Sequence, residues 1–372
     1  MDAKFIPVAE PLLGGNEKKY LDECIETGWI SSEGPFVRRF EDAFSRAVAR
    51  DHGILVSNGS DALELAVKAL GIGPGDEVIM PTFTIISCAQ AVVRAGARPV
   101  LVDCEPTTWN MDVAAVAARI TPRTKAIMAV HIYGLAVDMD PVMAIARKHG
   151  LKVIEDAAEA IGLAYKGRPC GGFGDVATFS FYANKHVTTG EGGMVVTGDA
   201  ELAERSRWYR DLCFGAERFI HDELGWNMRV TNLQAAVGLA QLENLDATTK
   251  RKRRMGRRYN DLLRGVKGIQ LPPVATAAAE NVFWVYGLVL DDAVPFDARE
   301  AMRRLADRKI GTRPFFWPMH EQPVFREMGL FAGDSHPVAE RIARRGFYIP
   351  SGVALTDGQM DRAAAALAQI LP

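Results

Sequence analysis

The chain has 372 residues, 48% of them hydrophobic, enough to fill the cores of about two domains. Lys+Arg 44 against Asp+Glu 46 leaves a net charge of -2, which offers nucleic acid or an anionic membrane no global attraction. The five cysteines, Cys24, Cys88, Cys104, Cys170 and Cys213, are scattered without a CxxC pair and fit reduced thiols better than disulfides or zinc ligands.

No apolar run approaches the roughly 20 residues of a membrane span, and the N-terminal stretch lacks a signal-peptide core. The expectation is a soluble cytoplasmic protein. After a short extended piece, residues 16–27 and 36–50 read as helices. Between them Trp29-Ile-Ser31-Ser-Glu-Gly-Pro35 is turn-rich and fits either a binding mouth or a connecting loop. From residue 53 strand and helix alternate. Strands are expected at 53–56, 77–80, 99–102, 126–131 and 152–155, with helices at 61–70, 85–95, 113–120 and 139–149. That alternation means an α/β fold with a largely parallel sheet, whose ligands sit beyond the carboxyl ends of the strands.

Residues 176–182 read as a buried strand and 194–197 as another, followed by helices at 200–209 and 231–263. The second helical stretch carries the basic run Lys250-Arg-Lys-Arg-Arg254, with Arg257 and Arg258. With a balanced net charge, a solvated helix face or a face near a partner subunit is expected rather than a nucleic-acid patch. A strand at 282–290, a helix at 296–309, a strand-like run at 311–316 and a helix at 356–370 complete a smaller α+β part. The chain thus divides into a large α/β domain with an N-terminal arm, 1–245, and a smaller domain, 246–372.

Three features converge on one sheet edge. Asn58-Gly59-Ser60 lies between a strand and a helix, where free N–H groups, a glycine and a hydroxyl form an anion site suited to phosphate; ordinary turn chemistry is the alternative. Asp156 ends a core strand, where a carboxylate needs a cationic partner such as a protonated pyridine nitrogen. No cluster with metal-ligand spacing accompanies it. Lys185 follows the strand at 176–182, so it is either a surface-loop lysine or a desolvated amine fit for Schiff-base chemistry. Phosphate cradle, carboxylate and lysine together match pyridoxal phosphate (PLP).

The stretches Val153-Ile-Glu-Asp-Ala-Ala-Glu-Ala-Ile-Gly162, Gly174-Asp-Val-Ala-Thr-Phe-Ser-Phe181, Asn184-Lys-His-Val-Thr-Thr-Gly-Glu-Gly-Gly-Met194 and Gly225-Trp-Asn-Met-Arg-Val-Thr-Asn232 resemble the DegT-type PLP-dependent nucleotide-sugar aminotransferases. The resemblance covers nearly the whole chain and implies a fold-type-I α/β transferase, a homodimer with active sites shared across the interface. It implies that Lys185 forms the imine with PLP and shuttles protons, that Asp156 pairs with the ring nitrogen and that Glu159 lies near the ring hydroxyl. It places Gly59, Ser60 and Ser180 on the phosphate, joined by Asn227 of the second subunit. Ile85 stands where the family often stacks an aromatic ring on the cofactor, and Phe83 replaces that ring only if the loop turns it inward. His186 follows the lysine rather than replacing it, as in the related dehydratases, so transamination is favoured. Trp29, Ser31, Arg229, Arg313 and His320 are candidate substrate contacts, an arginine suiting a diphosphate or a carboxylate. Trp29–Ser32, Thr188–Gly193 and Pro318–His320 are most similar to the perosamine-forming branch. That similarity implies L-glutamate as amino donor and GDP-4-keto-6-deoxymannose as acceptor. Another nucleotide-linked keto sugar (UDP or dTDP, aminated at C3 or C4) is the first alternative, and a PLP-dependent sugar dehydratase the second.

Overall fold

Two helices precede the first strand in the computed structural model, which describes residues 4–217 and 219–372. Helix α1 (Glu17–Thr27) stops at Gly28, whose φ of 73° supplies the left-handed C-cap. Helix α2 (Pro35–Ala47) begins on a proline, which lacks only an N–H that has no helical partner there. Phe36, Phe40 and Phe44 recur at helical spacing on α2 and are buried together, with Phe40 and Phe44 packed on Phe181.

The chain then alternates as β1 (His52–Val56), α3 (Gly59–Ala69), β2 (Glu77–Pro81), α4 (Ile86–Arg94), β3 (Arg98–Val102), β4 (Thr124–Val130), α5 (Met139–His149) and β5 (Lys152–Asp156). A short hairpin, β6 (Ala164–Tyr165) and β7 (Arg168–Pro169), leads to β8 (Val176–Ser180), β9 (Gly193–Thr197) and α6 (Ala200–Arg210). Seven strands form one sheet in the order β1-β9-β8-β5-β4-β2-β3. Only β9 runs antiparallel to its neighbours, β8 and β1. Helices cover both faces, so the strands are near-continuous apolar runs such as Ile127–Val130 rather than alternating ones. The carboxyl ends of β1, β2, β4, β5 and β8 therefore open on one edge, with Val130 in register with Asp156 and Asp156 with Thr178.

Helices α7 (Asn232–Glu243) and α8 (Leu245–Leu262) follow, broken at Asn244 where one continuous helical stretch is expected from the sequence. A second, antiparallel sheet takes β10 (Ile269–Gln270), β11 (Tyr286–Leu290), β12 (Arg313–Pro314) and β13 (Gly346–Ile349) in the order β10-β11-β13-β12. Helices α9 (Ala298–Asp307), α10 (Pro323–Glu327), α11 (Pro337–Arg345) and α12 (Asp357–Ile370) pack around it.

Residues 113–120, expected as a helix, form only two 3-10 turns, Val113–Ala115 and Ala117–Arg119. The run is too short to offset helix nucleation, and Pro122 biases the preceding residue toward extended backbone. The basic run on α8 is neutralised locally: Arg253 and Arg257 pair with Glu280, Arg254 with Asp357 and Arg258 with Asp361. One member departs from the expected solvated face, since Lys252 is only 2% exposed. All five cysteines are free and buried. Among the described residues no helix is long and apolar enough to cross a membrane.

Candidate active site

The site is built where β1, β2, β5 and β8 end. Asn58, extended at the N-cap of α3, accepts the Asp61 N–H on its side-chain oxygen at 2.9 Å and leaves the first N–H groups of the helix, those of Gly59 and Ser60, free of helical partners. Ser180, at the end of β8, lies directly against this turn, and a Cβ at Gly59 would stand 2.8 Å from the Ser180 Cβ. Only glycine lets strand and helix approach this closely. Ser60 Oγ meets Ser87 Oγ at 2.7 Å, which adds a hydroxyl from α4 to the same cradle. Backbone N–H groups at a helix start, ringed by hydroxyls, suit a phosphate.

Asp156 closes β5 and is 3% exposed. Its Oδ1 accepts the Ala158 N–H at 3.0 Å and its Oδ2 the Cys88 thiol at 3.1 Å. Glu159, one turn further, is 8% exposed and accepts the Tyr133 N–H on Oε2 at 2.7 Å. Burial pushes its carboxyl up to about 8, against the opposing pull of Lys185. Lys185 Nζ lies 3.9 Å from Glu159 Oε1 and 3.6 Å from the centre of the Trp284 ring. Burial lowers the Lys185 pKa, while Glu159 and Asp156 pull it back. A buried amine and a buried carboxyl of this kind share a proton readily, which is the poise an acid-base catalyst needs.

Around this centre Tyr133, Trp284 and Tyr348 form an aromatic wall, with Tyr133 and Trp284 ring centres 5.9 Å apart. Trp284 fixes its ring by donating its indole N–H to the Asn184 carbonyl at 3.2 Å. Arg313, exposed on β12, is in register with Tyr348 and so stands at the rim of this wall. Ile85, at the N-cap of α4, is 41% exposed and next in chain to the helix that supplies Ser87 and Cys88. Phe83 does not turn inward: it is fully buried against Tyr133, Phe315 and Phe316.

His186 is buried and tied to the backbone. Its Nδ1 bonds the Ile161 carbonyl at 2.9 Å, and burial pushes its pKa down to about 3, so the ring is neutral. His320 is buried with both ring nitrogens engaged, Nδ1 on Thr82 Oγ1 at 2.8 Å and Nε2 on Glu340 at 3.1 Å. Trp29, Ser31, Asn227 and Arg229 make no hydrogen bond or ion pair with Lys185, Asp156 or Glu159 among the described residues, although Ser57, beside the Asn58–Ser60 turn, donates its N–H to the Met228 carbonyl at 3.0 Å. Asn232 ties the loop of Trp29 and Ser31 down by bonding the Trp29 carbonyl at 2.6 Å and donating its own N–H to Ser31 at 3.0 Å. Arg229 pairs with Asp211 and lines a surface groove of about 450 Å³ with Ser32, Glu33 and Phe214, and the Asn227 side chain is exposed.

Sequence reasoning missed Trp284, Tyr133, Ser87 and Cys88. Each acts through a contact distant in sequence, and none sits in a motif that announces it. The Asn58–Ser60 turn, the paired carboxyls and the lysine fit a phosphate-bearing pyridine aldehyde: the helix start would suit the phosphate, Asp156 a ring cation and Lys185 the carbonyl.

Comparison with known proteins agrees. The DegT/DnrJ/EryC1/StrS aminotransferase family matches residues 11–368. GDP-perosamine synthase of Caulobacter vibrioides is 44% identical over 371 residues, spanning 100% of this chain and 99% of the relative. That of Escherichia coli O157:H7 is 42% identical over 359 residues, 96% of each chain. The crystal structure of S. venezuelae DesV in complex with a ketimine intermediate superposes with a TM-score of 0.89 at 34% identity, covering 99% of both chains. The chain is a PLP-dependent aminotransferase and belongs to the DegT/DnrJ/EryC1/StrS family.

Proposed function

We propose that the protein transfers the amino group of L-glutamate to C4 of GDP-4-keto-6-deoxymannose, yielding GDP-perosamine, as a cytoplasmic homodimer. Identity of 44% over the full chain to a GDP-perosamine synthase is the observation that carries the substrate assignment. The reaction class follows from a depressed, buried Lys185 beside Glu159 and Asp156.

When bound, PLP supplies an electron sink and carries the amino group from donor to acceptor. Lys185 Nζ is the base: as a neutral amine it takes the α-proton of glutamate and later returns a proton to the sugar carbon. Burial favours that neutral form. Asp156 holds the ring nitrogen protonated. Glu159, whose carboxyl burial pushes up to about 8, would in its neutral form have a hydrogen to donate to the ring hydroxyl. Gly59, Ser60 and Ser180 seat the phosphate, and Asn227 of the second subunit joins them. Trp29, Ser31 and Arg229 serve the neighbouring subunit's substrate in the same way, and Arg313 at the rim of the aromatic wall takes the diphosphate or the glutamate carboxylate. Ile85, 41% exposed at the N-cap of α4, would offer the ring an apolar contact without π-stacking. We place the boundary between the large and small domains at residues 245 and 246.

The test is product mass with L-glutamate and either GDP-4-keto-6-deoxymannose or a UDP- or dTDP-linked keto sugar. An amino sugar from the GDP substrate, made at least about 10-fold faster than from the others, is expected. Preference for another nucleotide overturns the substrate assignment, and a deoxygenated product overturns transamination.

A further inference from the structure

Asp156 would pair with the ring nitrogen, and what holds its carboxylate in place decides how firmly it pairs with a proton there. Two donors reach it: the Ala158 N–H on Oδ1 at 3.0 Å and the Cys88 Sγ on Oδ2 at 3.1 Å. Cys88 lies in the first turn of α4, fully buried, with Thr84 Oγ1 3.3 Å from its sulfur. Thr84 is itself 1% exposed. Since the thiol hydrogen points at Asp156, the Thr84 hydroxyl donates to the sulfur, and a chain of two hydrogen bonds runs from threonine through cysteine to carboxylate. Burial first, then the Asp156 charge, pushes the Cys88 thiol well above its ordinary range, so sulfur keeps its hydrogen and remains a donor. The titratable groups facing Asp156 electrostatically are Cys88, Glu159 and Lys185.

We propose that Cys88 is a positioning residue: by donating its S–H to Oδ2 it fixes the orientation of the Asp156 carboxylate and sets how strongly that carboxylate holds a protonated ring nitrogen. The inference rests on the assignment of Asp156 to the ring nitrogen made above. An S–H donor is weaker than an O–H donor, so it leaves more negative charge on the carboxylate than serine would in the same place. Cysteine thus keeps Asp156 a strong partner for a ring cation while still fixing its rotation. Being sealed from solvent, it does so without exposing a reactive thiol.

The test uses wild-type protein, Cys88→Ser and Cys88→Ala reconstituted with PLP. The pH midpoint of the bound cofactor's visible absorption band is read in each, with thermal melting as the control for folding. A stronger donor draws charge from Asp156, leaves the ring cation less compensated and lowers the midpoint. Removal of the donor raises it. Shifts of about 0.3–0.7 pH unit in opposite directions are expected, the scale of one hydrogen bond. Equal midpoints in all three proteins, or both variants moving the same way, overturn the proposal. Should Cys88→Ala fail to fold, the near-isosteric serine variant decides alone, and an unshifted midpoint is again fatal. A failure of the underlying assignment looks different: Asp156→Asn would then leave the wild-type band and its midpoint unchanged.

Discussion

Lys185 and Glu159 form a pair whose protonation is set by burial. With its pKa pushed up to about 8, Glu159 is neutral at pH 7 and can donate a hydrogen bond; above that it ionises and adds a second negative charge near Asp156. Wild-type kcat/KM is therefore expected to fall on an alkaline limb centred near 8. Glu159→Gln, which keeps a donor but cannot ionise, should retain activity at pH 7 within about 10-fold and lose that limb. An unchanged pH profile in the variant would remove Glu159 from the proton balance. Asp156 is legible from sequence because it closes a core strand of a parallel sheet, where a charged side chain needs a reason, and Lys185 because it stands in the turn that follows another core strand, β8, at the same sheet edge. Cys88, Tyr133 and Trp284 are not, because a thiol in a helix and aromatics near a strand look like core until the fold brings them to the site. The aromatic question at Ile85 is likewise settled for Phe83 only by packing, which buries that ring against Tyr133.

Among the elements, the junction of α3 with β8 and the anchoring of α8 to the Trp284 and Ser351 backbone carry the site. Gly59→Ala would drive a Cβ to 2.8 Å from Ser180, parting the helix start from the strand end. The fold should survive by circular dichroism while the dissociation constant for PLP rises at least about 10-fold, since the N–H groups lose their aim. Lys252 is the second such device. From α8 its ammonium donates to the Trp284 carbonyl at 3.0 Å and to the Ser351 carbonyl, so it anchors the residue whose ring covers Lys185. Burial lowers its pKa to about 7 from an ordinary 10.5. Between those values the unfolded chain binds more protons than the folded one, so wild-type stability should gain a contribution that grows as pH rises through that window. Lys252→Met should lack that rise and lose about 1–3 kcal/mol at pH 9, where two carbonyls lose their donor, as read by denaturant unfolding. A variant as stable as wild type would contradict this role. Alternating strands and helices are readable along most of the chain because apolar runs and periodic helices mark them. By contrast, α11 and β13 follow a Gly- and His-containing loop without a clear pattern. β13 is four residues long and takes its place only by pairing with β11 and β12.

At the scale of the whole molecule, Lys185, Asp156, Glu159 and the Asn58–Ser60 turn gather within one chain, whereas no hydrogen bond or ion pair among the described residues ties Trp29, Ser31, Asn227 or Arg229 to Lys185, Asp156 or Glu159. The proposed homodimer, in which those residues would complete a neighbouring site, would reconcile the two sets. Leu224, 92% exposed and in the same loop as Asn227, fits such a contact. Leu224→Asp is expected to weaken dimerisation at least about 10-fold by analytical ultracentrifugation and to lower activity in step with dimer content. A fully active monomer would refute shared sites. The exposure of Leu224 is not legible in the sequence, since it is decided only once the chain has folded. The decisive measurement is the visible spectrum and 2-oxoglutarate yield of PLP-loaded wild type and Lys185→Ala on addition of L-glutamate alone. Wild type should lose its yellow band and release 2-oxoglutarate in step with bound cofactor, while Lys185→Ala releases none on the same timescale. Equal release by the variant, or a PLP-loaded wild type that ignores glutamate, would contradict transamination centred on Lys185.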